Sequence, residues 1–128
     1  RALGSRVPVI ADESVRNLDD LEQVVRARAA SGVNLKIVKG GLWAAHRIGS
    51  RARALNMKLM VGGMVETRLG MTAAAHLVCA LGGAEFPDLD TAFLLAAEPF
   101  QGGYVADGPR YRLGMGHGLD VALAHVGG

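Results

Sequence analysis

Val33-Asn34-Leu35-Lys36-Ile37-Val38-Lys39-Gly40-Gly41 sets a lysine inside a β-branched, apolar run, where a charge is costly unless it has a use. Alternation over Val33 to Val38 predicts a strand with Asn34, Lys36 and Val38 on one face and Leu35 and Ile37 on the other. Gly40-Gly41 breaks the strand, and Leu42 to Leu55 then reads as a helix. The Lys36 ammonium is expected near the carboxyl end of a strand that feeds a helix, the place where α/β barrels and open α/β sheets keep their chemistry. Lys39 either has the opposite strand parity or sits on the loop, and is expected to face away.

Outward from this stretch, the same unit repeats. Arg6 to Ala11 reads as a strand ending in Asp12-Glu13-Ser14. Leu18 to Ala30 follows as an amphipathic helix with Leu18, Leu21, Val24 and Val25 on its apolar side, capped by Asn17, with Asp19 and Asp20 in its first turn and Gly32 at its end. A third strand over Lys58 to Val61 breaks at Gly62-Gly63 and leads to an apolar helix from Arg68 to Leu81. A fourth starts at Glu85-Phe86, runs into Asp88-Leu89-Asp90 and continues as a short apolar segment, Thr91 to Ala97.

Asp12, Lys36, Gly62 and Asp88 end successive strands at steps of 24, 26 and 26 residues, the period of a βα repeat. Such alternation gives a parallel sheet with right-handed crossovers. A barrel is preferred to an open sheet because the strand ends carry different functional groups, which a barrel gathers onto one axis. A complete (β/α)8 barrel takes about 250 residues and eight units. Residues 1–99 supply four, so the fold class is α/β, the C-terminal half of a TIM-like barrel. The other half is expected from sequence upstream of Arg1 or from another chain. Residues 100–128 leave the βα rhythm: Gly102 to Leu113 reads as a hairpin around Asp107-Gly108, expected to pack on something outside this sequence.

The 128 residues are 50% hydrophobic with a net charge of +2, a globular balance that excludes disorder. The arginines fall among alanines on helices rather than beside aromatics, so solvated faces are expected and nucleic acid is not. No apolar run has the length of a membrane span. The single cysteine, Cys79, permits no disulfide framework and is expected in the core, which points to a reducing, cytoplasmic setting. His46, His76, His117 and His125 show no metal-ligand spacing, and Trp43 is expected to pack.

Asp12 shares parity with Pro8 and Ile10 and is assigned to the barrel interior, where a carboxylate needs a cation: a hard metal, or Lys36 itself. Lys36 there suits a general base, a Schiff-base former, a phosphate binder or a structural ion pair. Gly62-Gly63-Met64 lets backbone approach a ligand. Asp88 and Asp90, two apart, share a face and call for a metal or a ligand ammonium, although Asp90 alone is also placed to cap the segment that follows it.

Together Ala11-Asp12-Glu13-Ser14, Asn34-Leu35-Lys36-Ile37-Val38-Lys39, Val61-Gly62-Gly63-Met64-Val65-Glu66-Thr67 and Asp88-Leu89-Asp90 resemble the C-terminal half of an enolase-superfamily barrel of the muconate-lactonizing subgroup, closest to the dipeptide epimerases. The resemblance covers nearly the whole chain. It implies that Asp12 is one carboxylate ligand of a catalytic Mg2+ and that Lys36 is the acid/base on one side of the substrate α-carbon. By the same resemblance Asp88 and Asp90 hold the substrate's α-ammonium, and Gly63 and Met64 approach the dipeptide backbone. A second lysine, two further metal carboxylates and an amino-terminal capping domain belong to the family and lie outside this sequence. Gly63 departs from the cysteine or serine common in relatives.

The function so implied is Mg2+-dependent epimerisation of dipeptides by 1,1-proton transfer, with the 128 residues alone inactive and a homo-oligomer expected. The alternatives are an N-acylamino-acid racemase, an o-succinylbenzoate synthase or a muconate cycloisomerase of the same superfamily, or an inactive half-barrel. A phosphate site at Lys36, Gly40 and Gly62-Gly63 ranks below these, because Asp88 and Asp90 would repel the anion.

Overall fold

The computed structural model describes residues 7–124. Four parallel strands, β1 (Ile10–Ala11), β2 (Gly32–Lys36), β3 (Lys58–Gly62) and β4 (Phe86–Pro87), lie in sequence order in one sheet. The intervening helices are α1 (Leu18–Ala27), α2 (Gly41–Ala54) and α3 (Arg68–Ala80), and a 3-10 turn, Thr91–Leu94, follows β4. The register is continuous across the sheet: Ile10 and Ala11 pair with Gly32 and Val33, Asn34 with Met60, and Met60 with Phe86. The ladder runs one residue past β4, since the Asp88 amide donates to the Val61 carbonyl at 2.8 Å.

Side chains sort by this register into two faces. Val33, Leu35, Leu59 and Val61 are buried together with Leu21 of α1, Ala45, Ile48 and Ala52 of α2, and Met71, Ala74 and Leu77 of α3. The helix-covered face is therefore the core, and its apolar burial is the main stabilising term. Gly49 lets α2 sit close to β2, because a Cβ there would stand 2.8 Å from Leu35 Cδ1. The opposite face carries Ile10, Asn34, Lys36, Met60, Gly62 and Phe86 and leads up to the strand ends.

Several boundaries differ from the sequence reading for local reasons. Strand β2 stops at Lys36 and a 3-10 turn, Ile37–Lys39, takes over, so Val38 is exposed rather than on the Lys36 face. The first helix stops at Arg28, which adopts φ +49° and donates its amide to the Val24 and Val25 carbonyls. Gly32 opens β2 instead of ending that helix, since a Cβ there would press on the Lys58 carbonyl at 2.7 Å. Asn17 caps the helix as expected, accepting from the Asp20 amide at 2.9 Å, while the Asp20 carboxylate accepts from the Asn17 amide at 3.2 Å. The first strand is shorter than Arg6 to Ala11, and Arg6 lies outside the described residues. Thr91–Leu94 has no side-chain cap from Asp90.

Residue type misplaced two side chains. Cys79 is exposed, because α3 is apolar over most of its surface and buries Ala74, Ala75 and Leu77 instead. Trp43 is 73% exposed and stacks on His46 with ring centroids 5.9 Å apart. Both lie beside Leu42, His76 and Leu77 in an apolar groove, which puts His46 and His76 among the helices rather than at the strand ends. His125 lies outside the described residues. No helix among those described is long and apolar enough to cross a membrane.

The tail contains the expected hairpin, β6 (Tyr104–Asp107) against β7 (Arg110–Leu113), with Gly108 at φ +55° in the turn. It adds a second antiparallel pair, β5 (Phe100–Gly102) with β8 (Val121–Leu123). The hairpin packs on this chain by one face, where Tyr104 is buried and contacts Tyr111 with centroids 4.9 Å apart. Val105 on the other face is exposed. Arg68, the first residue of α3, clamps the tail: its Nε donates to the Gly102 carbonyl at 2.7 Å, its Nη2 to the Tyr104 carbonyl at 2.8 Å, and its guanidinium lies 4.3 Å from the Tyr104 ring centroid. Arg68→Ala in the full-length protein is expected to lower stability by about 2–3 kcal/mol, through lost charge-assisted bonds and cation–π contact. A thermal unfolding midpoint unchanged within error would remove the clamp as a stabilising feature.

Candidate active site

The carboxyl ends of β1 and β2 bring an acid and two amines together. Asp12 follows β1, in the row of Asn34, and Lys36 ends β2. Lys36 Nζ lies 3.0 Å from Asp12 Oδ2 and 3.1 Å from Glu13 Oε1, and its third neighbour is Met64 Sδ at 3.8 Å. Asn34, buried beneath them, donates from Nδ2 to Asp12 Oδ2 at 3.0 Å. Lys39 does not face away. The 3-10 turn after Lys36 swings it back over the strand ends, where Nζ donates to Asp12 Oδ1 at 3.2 Å, to the Asp12 carbonyl at 2.8 Å and to the Asn34 carbonyl at 2.8 Å.

The electrostatics of this cluster are those of a tight mixed pair. Burial works against the Asp12 carboxylate, but hydrogen bonds from Lys36, Asn34 and Lys39 hold its pKa below the usual carboxylate value. The bond to Asp12 raises the pKa of Lys36 against an opposing burial effect, with Glu13 adding to it. Lys39 moves the other way: its burial pushes the pKa down more than Asp12 restores it. In this arrangement Lys36 is held as an ammonium. A low-dielectric pocket alone, which would favour a free amine, does not describe it.

The β3 and β4 ends complete the row. Gly62, paired with Lys36, leaves a narrow gap: a Cβ there would stand 3.3 Å from Asn34 Oδ1 and 3.7 Å from the Asp88 carbonyl. Asp88 follows β4 next to Gly62, and loss of water contact together with the charge of Asp90 raises its pKa, with Lys36 opposing the shift. Both aspartates are exposed, and Asp88 stands close enough to Lys36 to feel its charge. Met64 is exposed above Lys36 and its amide donates to Glu66 Oε1 at 3.2 Å. At Gly63 a Cβ would fall 2.5 Å from the Met71 methyl and 3.1 Å from Thr91 Oγ1. The space a cysteine or serine would need there is filled from α3 and the 3-10 turn.

A family model described as Enolase C-terminal domain-like matches residues 1–125. The chain belongs to this enolase-type family. It is 39% identical over 116 residues to the aromatic dipeptide epimerase of Herpetosiphon aurantiacus, covering 89% of this chain and 33% of that protein. It is likewise 39% identical over 109 residues to the L-Ala-D/L-Glu epimerase of Thermotoga maritima, covering 85% of this chain and 32% of that protein. Among solved structures it superposes with a TM-score of 0.87 and 33% identity on the dipeptide epimerase of Cytophaga hutchinsonii complexed with Mg and the dipeptide D-Ala-L-Val, covering 94% of this chain and 33% of that one. The chain therefore spans about a third of the length of these relatives. Its α/β fold is the C-terminal half of the family's barrel, as the spacing of strand ends implied.

The donors this enolase-type segment offers a metal are hard oxygens. No group of three His, Cys, Asp or Glu side chains gathers among the described residues. Asp12 is one carboxylate with cationic donors on both oxygens, and Asn34 Oδ1 is a buried oxygen with no partner. Oxygen donors suit Mg2+, which this chain could bind only in part, with further ligands from outside it. Lys39 and Asn34 were missed as site residues in the sequence. The available signal was the Gly40-Gly41 break, which allowed the strand to end early and the chain to turn before it.

Proposed function

We propose that the full-length protein is a Mg2+-dependent dipeptide epimerase that moves a proton at the α-carbon, with Lys36 as the acid/base on one side. The observation that carries this reading is the convergence on one sheet face of the Lys36 ammonium, 3.0 Å from Asp12 Oδ2, with the Asp88–Asp90 pair two strands away. Removing a proton next to a carboxylate builds negative charge on the carboxylate oxygens, and Mg2+, held in part by Asp12, supplies the compensating charge when bound. Lys36, held among the described residues by the side chains of Asp12, Glu13 and Met64 alone, is placed to take a proton from the α-carbon at Nζ and to return it. Asp88 and Asp90 are a twin-acid clamp for the dipeptide's α-ammonium, and the Gly63-Met64 backbone lines its path. The cytoplasmic setting, the homo-oligomer and the capping domain are expected of the full-length protein on the same reading.

The relatives from Herpetosiphon aurantiacus and Thermotoga maritima are dipeptide epimerases, which supports this substrate class. An N-acylamino-acid racemase, o-succinylbenzoate synthase or cycloisomerase would handle a substrate with no free ammonium and would leave Asp88 and Asp90 without a partner. Incubating the full-length protein with a dipeptide in D2O and Mg2+ is expected to yield both epimers with deuterium at the epimerised α-carbon. Epimerisation without deuterium uptake, or none with any dipeptide, would remove the reading.

A further inference from the structure

Lys36 and Lys39 divide Asp12 between them, each taking a different carboxylate oxygen, Oδ2 and Oδ1. Their other partners differ in kind. Among the described residues Lys36 is held only by side chains: Asp12, the 70% exposed Glu13 and Met64 Sδ. Lys39 places its three protons on Asp12 Oδ1 and on two main-chain carbonyls, those of Asp12 and Asn34, and its side chain is 13% exposed. An ammonium tied to two strand ends stays put, whereas one tied to flexible side chains is free to exchange partners.

We propose that Lys39 is a positioning residue that acts through Asp12, locking Oδ1 so that Oδ2 alone is presented to an incoming cation, while Lys36 is the amine that leaves. This rests on the reading of Asp12 as a metal ligand. Asn34 completes the bracket from below through its bond to Oδ2, so the carboxylate is oriented from β2 on one side and from the 3-10 turn on the other. Partners of this kind, one step removed from the metal, are worth about 10- to 100-fold in affinity where they have been altered.

Electrostatics and positioning predict opposite signs, which makes the inference decidable. Deleting a positive charge 3.2 Å from Asp12 Oδ1 would by itself tighten cation binding. Losing the bracket frees the carboxylate to rotate and loosens binding. The experiment uses the full-length protein and Mn2+, read by the electron paramagnetic resonance of the unbound ion. Lys39→Met is expected to weaken Mn2+ binding about tenfold and to slow α-proton exchange from both dipeptide epimers by the same factor. Lys39→Arg keeps the charge but cannot set three acceptors around one nitrogen; it is expected to fold and to weaken Mn2+ binding to a smaller extent, which covers the case in which the methionine variant fails to fold. Unchanged or tighter Mn2+ binding in a folded variant overturns the proposal, as does exchange lost from one epimer only, which would make Lys39 a base in its own right. Failure of the wild type to exchange any dipeptide would sink the epimerase reading by itself, and the Mn2+ comparison would still decide the role of Lys39.

Discussion

Lys36→Ala in the full-length protein is expected to abolish α-proton exchange from one epimer of the dipeptide, a fall of about a thousandfold, while leaving measurable exchange from the other. The asymmetry follows from geometry. Lys36 stands at the end of β2 on the sheet face that the helices do not cover, and on the proposed reading it reaches one side of an α-carbon held there. On the proposed reading the base on the opposite face is supplied from outside these residues. Net epimerisation needs both bases and would stop altogether, whereas wash-in of deuterium from the second base would continue. Mixing each pure epimer with the variant in D2O and following loss of the α-proton by NMR separates the two half-reactions. Equal rates in wild type and variant for both epimers would show that Lys36 is not the base, and the Asp12–Lys36 pair would then be a structural ion pair. Lys36→Arg should fare little better than alanine, because a guanidinium stays charged at any working pH and cannot accept the proton.

The site was legible in the sequence wherever strand parity carries through the parallel ladder. Ile10 pairs with Gly32, Asn34 with Met60 and Lys36 with Gly62, so Asp12, Lys36 and Asp88 share a face by counting in twos from any one of them. The 3-10 turn Ile37–Lys39 interrupts that count, and Lys39 is found against Asp12 rather than behind the sheet. Parity is a property of extended backbone and stops where the extended backbone stops. Helix-side errors had a different cause. Apolar character says that a residue can be buried, but on the largely apolar α3 it does not say which side turns inward, and Cys79 lies outside. The tail was recognisable as a hairpin, yet its grip on α3 depends on Arg68 reaching two main-chain carbonyls more than thirty residues along, a pairing no local pattern encodes.

Asp88→Asn is the change that separates substrates with a free ammonium from those without one. It is expected to lower kcat/KM for a dipeptide by about 10- to 100-fold through loss of a charge-assisted bond, and to leave an N-acylated analogue unaffected. The two carboxylates face solvent, which puts the effect at the modest end of what a paired charge can supply. The same pair gives a pH signature. Loss of water contact and the neighbouring Asp90 raise the pKa of Asp88, Lys36 opposes the shift, and Tyr111 stands close enough to feel both aspartates. A ligand ammonium favours the ionised form, so affinity for a dipeptide is expected to improve as pH rises through the titration of Asp88 and to level off above it. The Asp88→Asn variant should lose the part of the profile that Asp88 supplies, and Asp88→Asn combined with Asp90→Asn should leave KM for the dipeptide flat across the same interval. If the acid limb of the KM profile persists unchanged when both Asp88→Asn and Asp90→Asn are made, the ammonium is held elsewhere, and the twin-acid clamp is a feature of the strand end with no part in recognition.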